Sequence, residues 1–174
     1  MSEAAASPRV VIRAERETDL PMIRHVNETA FGAPDEARLV DTLRTDGLVL
    51  LSAVADLDGL VVGHLLMVRM WIDTRDGTTD AVALAPMAVL PGHQCQGIGG
   101  RLIAFGLDAM RARGETIVIV VGHPGYYPRF GFTSAAARSL ASPFPGDAFM
   151  ALELAPGALD AAPGRVRYPA AFGL

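Results

Sequence analysis

The sequence predicts a single α/β domain, or α+β in the broader sense, in which helices flank a mixed, mostly antiparallel sheet. The chain has 174 residues, of which 51% are apolar and 20% charged, and this balance suits one globular domain covering residues 1–174. Strand and helix patterns alternate along the chain. Residues 116–121 are β-branched and directly follow an amphipathic helix, which is typical of a parallel strand buried on both faces.

The N-terminal half is predicted to contain two helices and three strands. Thr18 can cap a helix that has Pro21 in its first turn, and Gly32 ends the apolar periodicity of that helix. The turn sequence Asp56-Leu57-Asp58-Gly59 separates two apolar runs, which predicts a hairpin. The predicted elements are a loose tail at 1–8, a strand at 10–14, a helix at 19–31, a second helix around 39–43, and strands at 48–55 and 60–71.

The C-terminal half is predicted to contain a long helix between buried strands. Apolar and charged residues recur at helical spacing over residues 98–113, and Gly114 follows as a stop. Pro86 lies inside the predicted strand 81–90, and because it has no N–H for a sheet ladder, we expect a bulge or an unpaired edge in that strand. The other predicted elements are a polar turn at 74–80, strands at 81–90, 116–121 and 148–154, and an irregular Pro/Gly-rich segment at 155–174.

The charged residues exclude several classes of function. All 15 basic residues are arginine, and the formal net charge is -4. A Schiff-base enzyme and a Walker-type phosphate loop both need a lysine, so neither fits this chain. A net negative chain also lacks the cationic surface that binds a phosphate backbone, and we expect no nucleic-acid partner.

The cysteine and histidine content bears on location and metals. Cys95 is the only cysteine, which excludes an intramolecular disulfide and any multi-cysteine metal site. The histidines show no metal-ligand spacing, so no metal is expected. Residues 1–19 carry charges instead of the apolar run of a signal peptide, and prolines interrupt the uncharged stretch 81–100. We therefore expect a cytoplasmic protein in a reducing compartment, with no membrane partner.

A glycine-rich segment between a strand and a helix is the first candidate site. Residues 94–100 read Gln-Cys-Gln-Gly-Ile-Gly-Gly and open the helix at 98–113. Glycines let a ligand approach the backbone, and the unpaired N–H groups of a first helical turn suit a pyrophosphate. Arg101 could add a positive charge. The alternative is that this segment is only a tight connection and binds no ligand. The segment is not a dinucleotide-binding motif, because Leu102 stands where that motif needs its third glycine.

The second candidate segment covers residues 122–132 and holds two of the three tyrosines. Its sequence is Gly-His-Pro-Gly-Tyr-Tyr-Pro-Arg-Phe-Gly-Phe. A phenol, with an ordinary pKa of about 10, can act as a general acid toward a departing thiolate. The alternative is that the rings of Tyr126 and Tyr127 only pack beneath the loop.

Taken together, these segments resemble the GNAT superfamily of N-acetyltransferases. The resemblance rests on Leu-Ala-Pro-Met-Ala-Val-Leu-Pro at 84–91, on Gln94-x-x-Gly97-x-Gly99, and on Tyr127-x-x-x-Gly131-Phe132. The string at 122–132 is similar to the bacterial branch of predicted YhbS-like acetyltransferases. The order of elements matches over nearly the whole chain, and the match is best between residues 81 and 132.

The resemblance implies a GNAT fold and a site for acetyl-coenzyme A. It implies that main-chain N–H groups of the glycine-rich loop hold the pyrophosphate, and that three strand residues offer backbone groups to the pantetheine arm. It also implies that Tyr127 protonates the departing thiolate. Cys95 stands where the family often has glycine. The implied coenzyme-binding residues are Met87, Ala88, Val89, Gln94, Cys95, Gln96, Gly97, Ile98, Gly99, Gly100 and Arg101.

The resemblance does not identify a general base or an acceptor. Glu28 is the first candidate base; the alternative is that it is only a solvated residue on the surface of its helix. His123 is the second candidate base. Cys95 lacks a partner constellation for a nucleophile, so we expect direct transfer of acetyl through a tetrahedral intermediate. The expected acceptor is a primary amine on a small molecule, a peptide or a protein terminus. The alternative to an enzyme is a non-catalytic module that binds acyl-coenzyme A as a sensor or an interaction domain. The resemblance to the family also implies a homodimer.

Overall fold

The computed structural model describes residues 9–174, so the predicted tail at 1–8 lies outside the described residues. Over this range the chain forms three α-helices and one sheet of eight strands. The helices are α1 (Leu20–Phe31), α2 (Asp35–Thr45) and α3 (Ile98–Ala112). The strands are β1 (Val10–Ala14), β2 (Val49–Leu57), β3 (Leu60–Thr74), β4 (Gly77–Val89), β5 (Ile117–Val121), β6 (Leu140–Ala141), β7 (Phe149–Glu153) and β8 (Gly164–Arg167).

The sheet is mixed and mostly antiparallel, as predicted. Its main path runs β1-β2-β3-β4-β5-β7, and the β4–β5 pair within this path is parallel. The connection between those two strands contains α3, which is the crossover that a parallel pair requires. β5 is apolar and buried because it lies between β4 and β7.

The β3–β4 hairpin is longer than predicted. Pairing continues to Thr74 and Gly77, so the connecting turn holds only residues 75–76 instead of the predicted 74–80. Polar residues such as Thr78 and Asp80 lie within β4 because ladder hydrogen bonds hold them, although no core face selects apolar side chains there. The hairpin end therefore projects with a polar sequence that is typical of a loop.

The C-terminal segment contains β8, although the sequence predicts an irregular segment at 155–174. β8 pairs with the distal end of β3, beyond the part that β2 covers. Gly164 makes this approach possible, because a Cβ atom built there would lie 2.2 Å from the carbonyl oxygen of Asp73. The guanidinium of Arg167 then lies 4.8 Å from the ring centroid of Trp71 and pairs with the Asp73 carboxylate.

The helices cover both faces of the sheet. Alternate β3 residues face opposite cores: Leu65 packs in the core under α3, and Leu66 packs in the core that α2 covers. α1 begins at Leu20, after a 3-10 turn at Glu17–Asp19, so the predicted N-cap at Thr18 is wrong. Within residues 9–174, no helix is long and apolar enough to cross a membrane.

Candidate active site

A gap opens in the middle of the sheet between β4 and β5. The two strands pair only at Val82–Val118 and Ala83–Ile119, after which β5 continues alongside β7. The predicted irregularity at Pro86 is present, because the β3–β4 register places two β4 residues, Ala85 and Pro86, opposite one β3 residue. The second half of β4 therefore has one edge that β5 does not cover.

The hydrogen-bond alternation of β3 and β4 decides which backbone groups face this gap. The N–H of Leu90 donates to the carbonyl of Val62, so Ala88, two residues earlier, also directs its amide groups toward β3. Met87 and Val89 direct theirs toward the open edge. Accordingly, the side chain of Gln94 reaches the Val89 carbonyl at 3.0 Å. This orientation does not fit the predicted backbone role of Ala88.

The start of α3 lies at the end of this gap. Gly97 precedes the helix with φ +79°, a left-handed conformation that favours glycine, and no side chain caps the first turn. The first intrahelical hydrogen bond runs from the Arg101 N–H to the Gly97 carbonyl at 3.1 Å. The amides of Ile98, Gly99 and Gly100 therefore form an uncapped, positive helix end that can accept an anion.

Side chains of the glycine-rich loop brace it. Gln94 bonds to Val89, and the Gln96 amide donates to the Gly92 carbonyl at 3.4 Å. Cys95 is exposed and has φ +59°, which explains why glycine suits this position in the family that the chain resembles. The guanidinium of Arg101 donates to the carbonyl of Val10 in β1 at 2.8 Å. This contact directs it toward β1, which does not fit its predicted role as a coenzyme-binding cation.

The tyrosine segment packs directly on the first turn of α3. A Cβ built at Gly99 would lie 2.8 Å from the Tyr126 hydroxyl and 3.4 Å from the Met87 methyl. A Cβ at Gly100 would lie 3.4 Å from the Phe130 ring. Glycine at these two positions therefore lets the strand, the helix and the tyrosine segment meet at one place.

Tyr127 is held in a tight pocket beside this contact. Its ring packs edge to face against Tyr126 and Phe132, with centroids 5.2 and 5.9 Å away, and it is only 8% exposed. A Cβ at Gly122 would lie 2.3 Å from the Tyr127 ring, so a glycine is required there. Burial raises the pKa of Tyr127 to about 12, and Tyr126 adds to the rise. The hydroxyl therefore keeps its proton at neutral pH.

The two candidate bases lie in different surroundings. Glu28 is 39% exposed on α1 and pairs with Arg24 at 3.0 Å, and Arg24 also pairs with Asp41 of α2. Glu28 is thus held by a cation of its own helix, and that cation also contacts α2. His123 is exposed, and its carbonyl accepts the N–H groups of Tyr126 and Tyr127. Among residues 9–174, no three metal-ligating side chains cluster.

Comparison with known proteins identifies the family. The sequence model of the acetyltransferase (GNAT) domain matches residues 11–135, which is most of the chain. The chain belongs to the GNAT acetyltransferases. The predicted family, fold and enzyme class are thus confirmed.

Two relatives of this acetyltransferase are Escherichia coli proteins of similar length. Escherichia coli YhbS, described as an uncharacterized N-acetyltransferase, is 35% identical over 162 residues, covering 91% of this chain and 96% of that protein. YjhQ of the same species is 39% identical over 131 residues, covering 74% and 72%. They support the YhbS-like branch that the sequence predicts.

Two solved structures of related acetyltransferases contain the predicted coenzyme. The E. coli YhbS structure in complex with CoA has a TM-score of 0.89 at 34% identity, covering 99% of this chain and 97% of that one. A Brucella melitensis GNAT acetyltransferase in complex with acetyl-CoA has a TM-score of 0.80 at 35% identity, covering 94% and 98%. Their ligands are the free and acetylated forms of one coenzyme.

A buried polar network under α1 of this acetyltransferase escapes prediction from the sequence. His64 of β3 is fully buried opposite Ala88, with its Nε2 2.9 Å from the Ser52 hydroxyl and its Nδ1 3.0 Å from the Asn27 amide nitrogen. Ser52 also donates to the Glu15 carboxylate, so its oxygen accepts from the His64 Nε2–H. The only sequence sign is Asn27, which stands at an apolar position of α1.

This network makes stability depend on pH. Burial lowers the pKa of His64 to about 3, with the charge of Arg44 adding to the effect, whereas an unfolded histidine has a pKa of about 6.5. Only the unfolded chain therefore gains this proton just below about pH 6.5, and the full stability is present above that value. Between pH 7 and pH 5 we expect the free energy of unfolding to fall by about 2 kcal/mol on this account.

Urea unfolding at pH 7, 6 and 5, followed through the single tryptophan Trp71, measures this slope. His64→Gln keeps a hydrogen-bonding side chain that does not titrate, and its unfolding free energy should fall by about 2 kcal/mol less over the same interval. Equal slopes in the two proteins would show that folding does not lower the pKa of His64.

Proposed function

We propose that this acetyltransferase binds acetyl-coenzyme A in the β4–β5 gap and transfers acetyl directly to a primary amine. The supporting observation is the convergence of three features at Gly99: the open edge of β4, the uncapped start of α3 and the tyrosine segment. The amides of α3 suit the pyrophosphate, and the open edge of β4 suits the amide groups of pantetheine. The complexes of two relatives with CoA and acetyl-CoA support the same choice of ligand.

The residues of the gap are suited to a direct transfer. Met87 and Val89 direct backbone groups into it, and an N–H there can stabilise the oxyanion of a tetrahedral intermediate. As the C–N bond forms and the C–S bond breaks, Tyr127 gives its proton to the sulfur. The amine loses a proton to water or to a base, for which Glu28 and His123 remain the candidates. The exposed Cys95 has no role as a nucleophile in this proposal.

The acceptor is proposed to be an unprotonated primary amine of a small molecule, a peptide or a protein terminus. A coenzyme A release assay with acetyl-coenzyme A and a panel of polyamines, amino acids, aminoglycosides and peptide N-termini tests this. We expect release above background hydrolysis with at least one amine, and mass spectrometry should show the acetylated product. The N,N-dimethyl form of the active amine is the control, since its tertiary nitrogen has no proton to lose.

If acetyl-coenzyme A binds but no amine of the panel is acetylated, the proposed transfer to a primary amine of these classes is wrong. Absence of coenzyme binding would contradict the proposed site itself. The proposal extends to a homodimer and to a cytoplasmic location, which the free thiol of Cys95 supports because reducing compartments keep thiols unpaired. Sedimentation equilibrium would test the homodimer.

A further inference from the structure

The proposed phosphate site has backbone donors but lacks the side-chain cation expected of it. The sequence predicts Arg101 as this cation, yet its guanidinium donates to the Val10 carbonyl in β1. The chain has no lysine that could take its place. The pyrophosphate and 3′-phosphate of coenzyme A carry full negative charges, whereas a helix end supplies only about half an elementary charge. Another arginine near the start of α3 would complement this charge.

Arg129 lies at this place. Its guanidinium carbon is 4.8 Å from the ring centroid of Tyr126, and the hydroxyl of the same ring reaches the first turn of α3 at Gly99. One tyrosine ring therefore lies between Arg129 and Gly99 in the first turn of α3. Arg129 is exposed and forms no ion pair with any residue between 9 and 174.

The stacking prepares Arg129 for an anion. The aromatic face lies against the guanidinium and restricts its rotamers, while N–H groups that do not face the ring stay free for a phosphate. Tyr126 is itself fixed by edge-to-face contacts with Tyr127 and Phe130, whose centroids lie 5.2 and 5.3 Å away. Burial raises the pKa of Tyr126, with Arg129 acting in the opposite direction, so the phenol beside the site is neutral.

We propose that Arg129, stacked on Tyr126, binds a phosphate group of coenzyme A. This rests on the proposed function, because it assumes that the coenzyme lies at the start of α3. Tyr126 serves as the platform that sets the position of the guanidinium, and its hydroxyl contacts the helix. One motif thus carries both the proposed general acid, Tyr127, and a cation for the coenzyme.

Calorimetric titration with coenzyme A and with dephospho-coenzyme A tests the proposal. We expect Arg129→Gln to weaken coenzyme A binding about 10- to 100-fold, as for loss of a charge-assisted hydrogen bond. A loss confined to coenzyme A assigns Arg129 to the 3′-phosphate, and an equal loss with both ligands assigns it to the pyrophosphate. Arg113→Gln makes the same charge change at the exposed C-terminal end of α3 and should bind as the unmodified protein does.

Two further variants separate the platform from the charge. Tyr126→Phe keeps the ring under Arg129 and should retain most of the affinity, whereas Tyr126→Leu removes the ring and should weaken binding several-fold. Normal binding of both ligands by Arg129→Gln, or an equal loss in Arg113→Gln, would overturn the proposal and leave the coenzyme site intact. A lack of coenzyme binding by the unmodified protein would instead overturn the proposed function.

Discussion

Replacing Gly99 with aspartate is expected to weaken coenzyme A binding by more than about 100-fold. The new carboxylate would lie at the uncapped start of α3 and compete with the phosphates for its amides. Crowding adds to this loss, since the new Cβ would lie 2.8 Å from the hydroxyl of Tyr126, whose ring is held by Tyr127 and Phe130. A neutral side chain of the same size therefore has to separate the effect of charge from that of crowding. Calorimetric titration with coenzyme A measures the loss.

Two matched variants test this division. Gly99→Asn has nearly the same volume without the charge, and its affinity should fall by less than that of Gly99→Asp. Gly92→Asp places the same charge in the segment before the loop, where a Cβ meets no atom within 4 Å, and should bind nearly normally. Coenzyme A affinity retained in Gly99→Asp would show that the anion site lies elsewhere.

Removing the Tyr127 hydroxyl is expected to lower acetyl transfer at least about 10-fold, with coenzyme A affinity nearly unchanged. Tyr127→Phe keeps the ring that packs against Gly122 and Phe132, so only the proton donor is lost. Since burial raises the pKa of Tyr127 to about 12, the donor stays protonated through the alkaline range in which amines become nucleophilic. The rate of the unmodified protein should therefore rise toward about pH 10 without a decline from this group.

Tyr168→Phe is the control for this prediction. The Tyr168 hydroxyl is buried, and among the described residues it neither donates nor accepts a hydrogen bond. Its removal should therefore leave turnover unchanged and should not lower the free energy of unfolding. If Tyr127→Phe keeps full turnover with the best amine of the panel, another group protonates the thiolate. A parallel loss of coenzyme affinity would indicate a binding role for the hydroxyl instead.

The elements with strong periodicity could be predicted from the sequence. α3 ends at Ala112, one residue before its predicted end, and β5 begins one residue after its predicted start. Both are core elements, where burial imposes the pattern. The ends of β3 and β4 and the whole of β8 could not be predicted in this way. They depend on pairing between distant parts of the chain, such as the contact of Gly164 with Asp73, which leaves no local pattern.

The candidate site could also be predicted only in part. The spacing of the glycines and of Tyr127 could be recognised, because it reflects local turns and one short segment. The directions in which side chains and backbone amides point could not be predicted. Arg101 turns to Val10, 91 positions away, and the orientation of Ala88 follows from its register with β3. The network around His64 likewise joins residues from three separate elements.

The open edge of β4 also raises the question of aggregation. An uncovered strand edge can accept a strand from another molecule, which natural sheets must prevent. Here Pro86 supplies no N–H, and the bulge at residues 85–86 breaks the regular donor spacing that an added peptide strand needs. The same irregularity that opens the sheet for a slender ligand therefore protects the open sheet from edge-to-edge association with other chains.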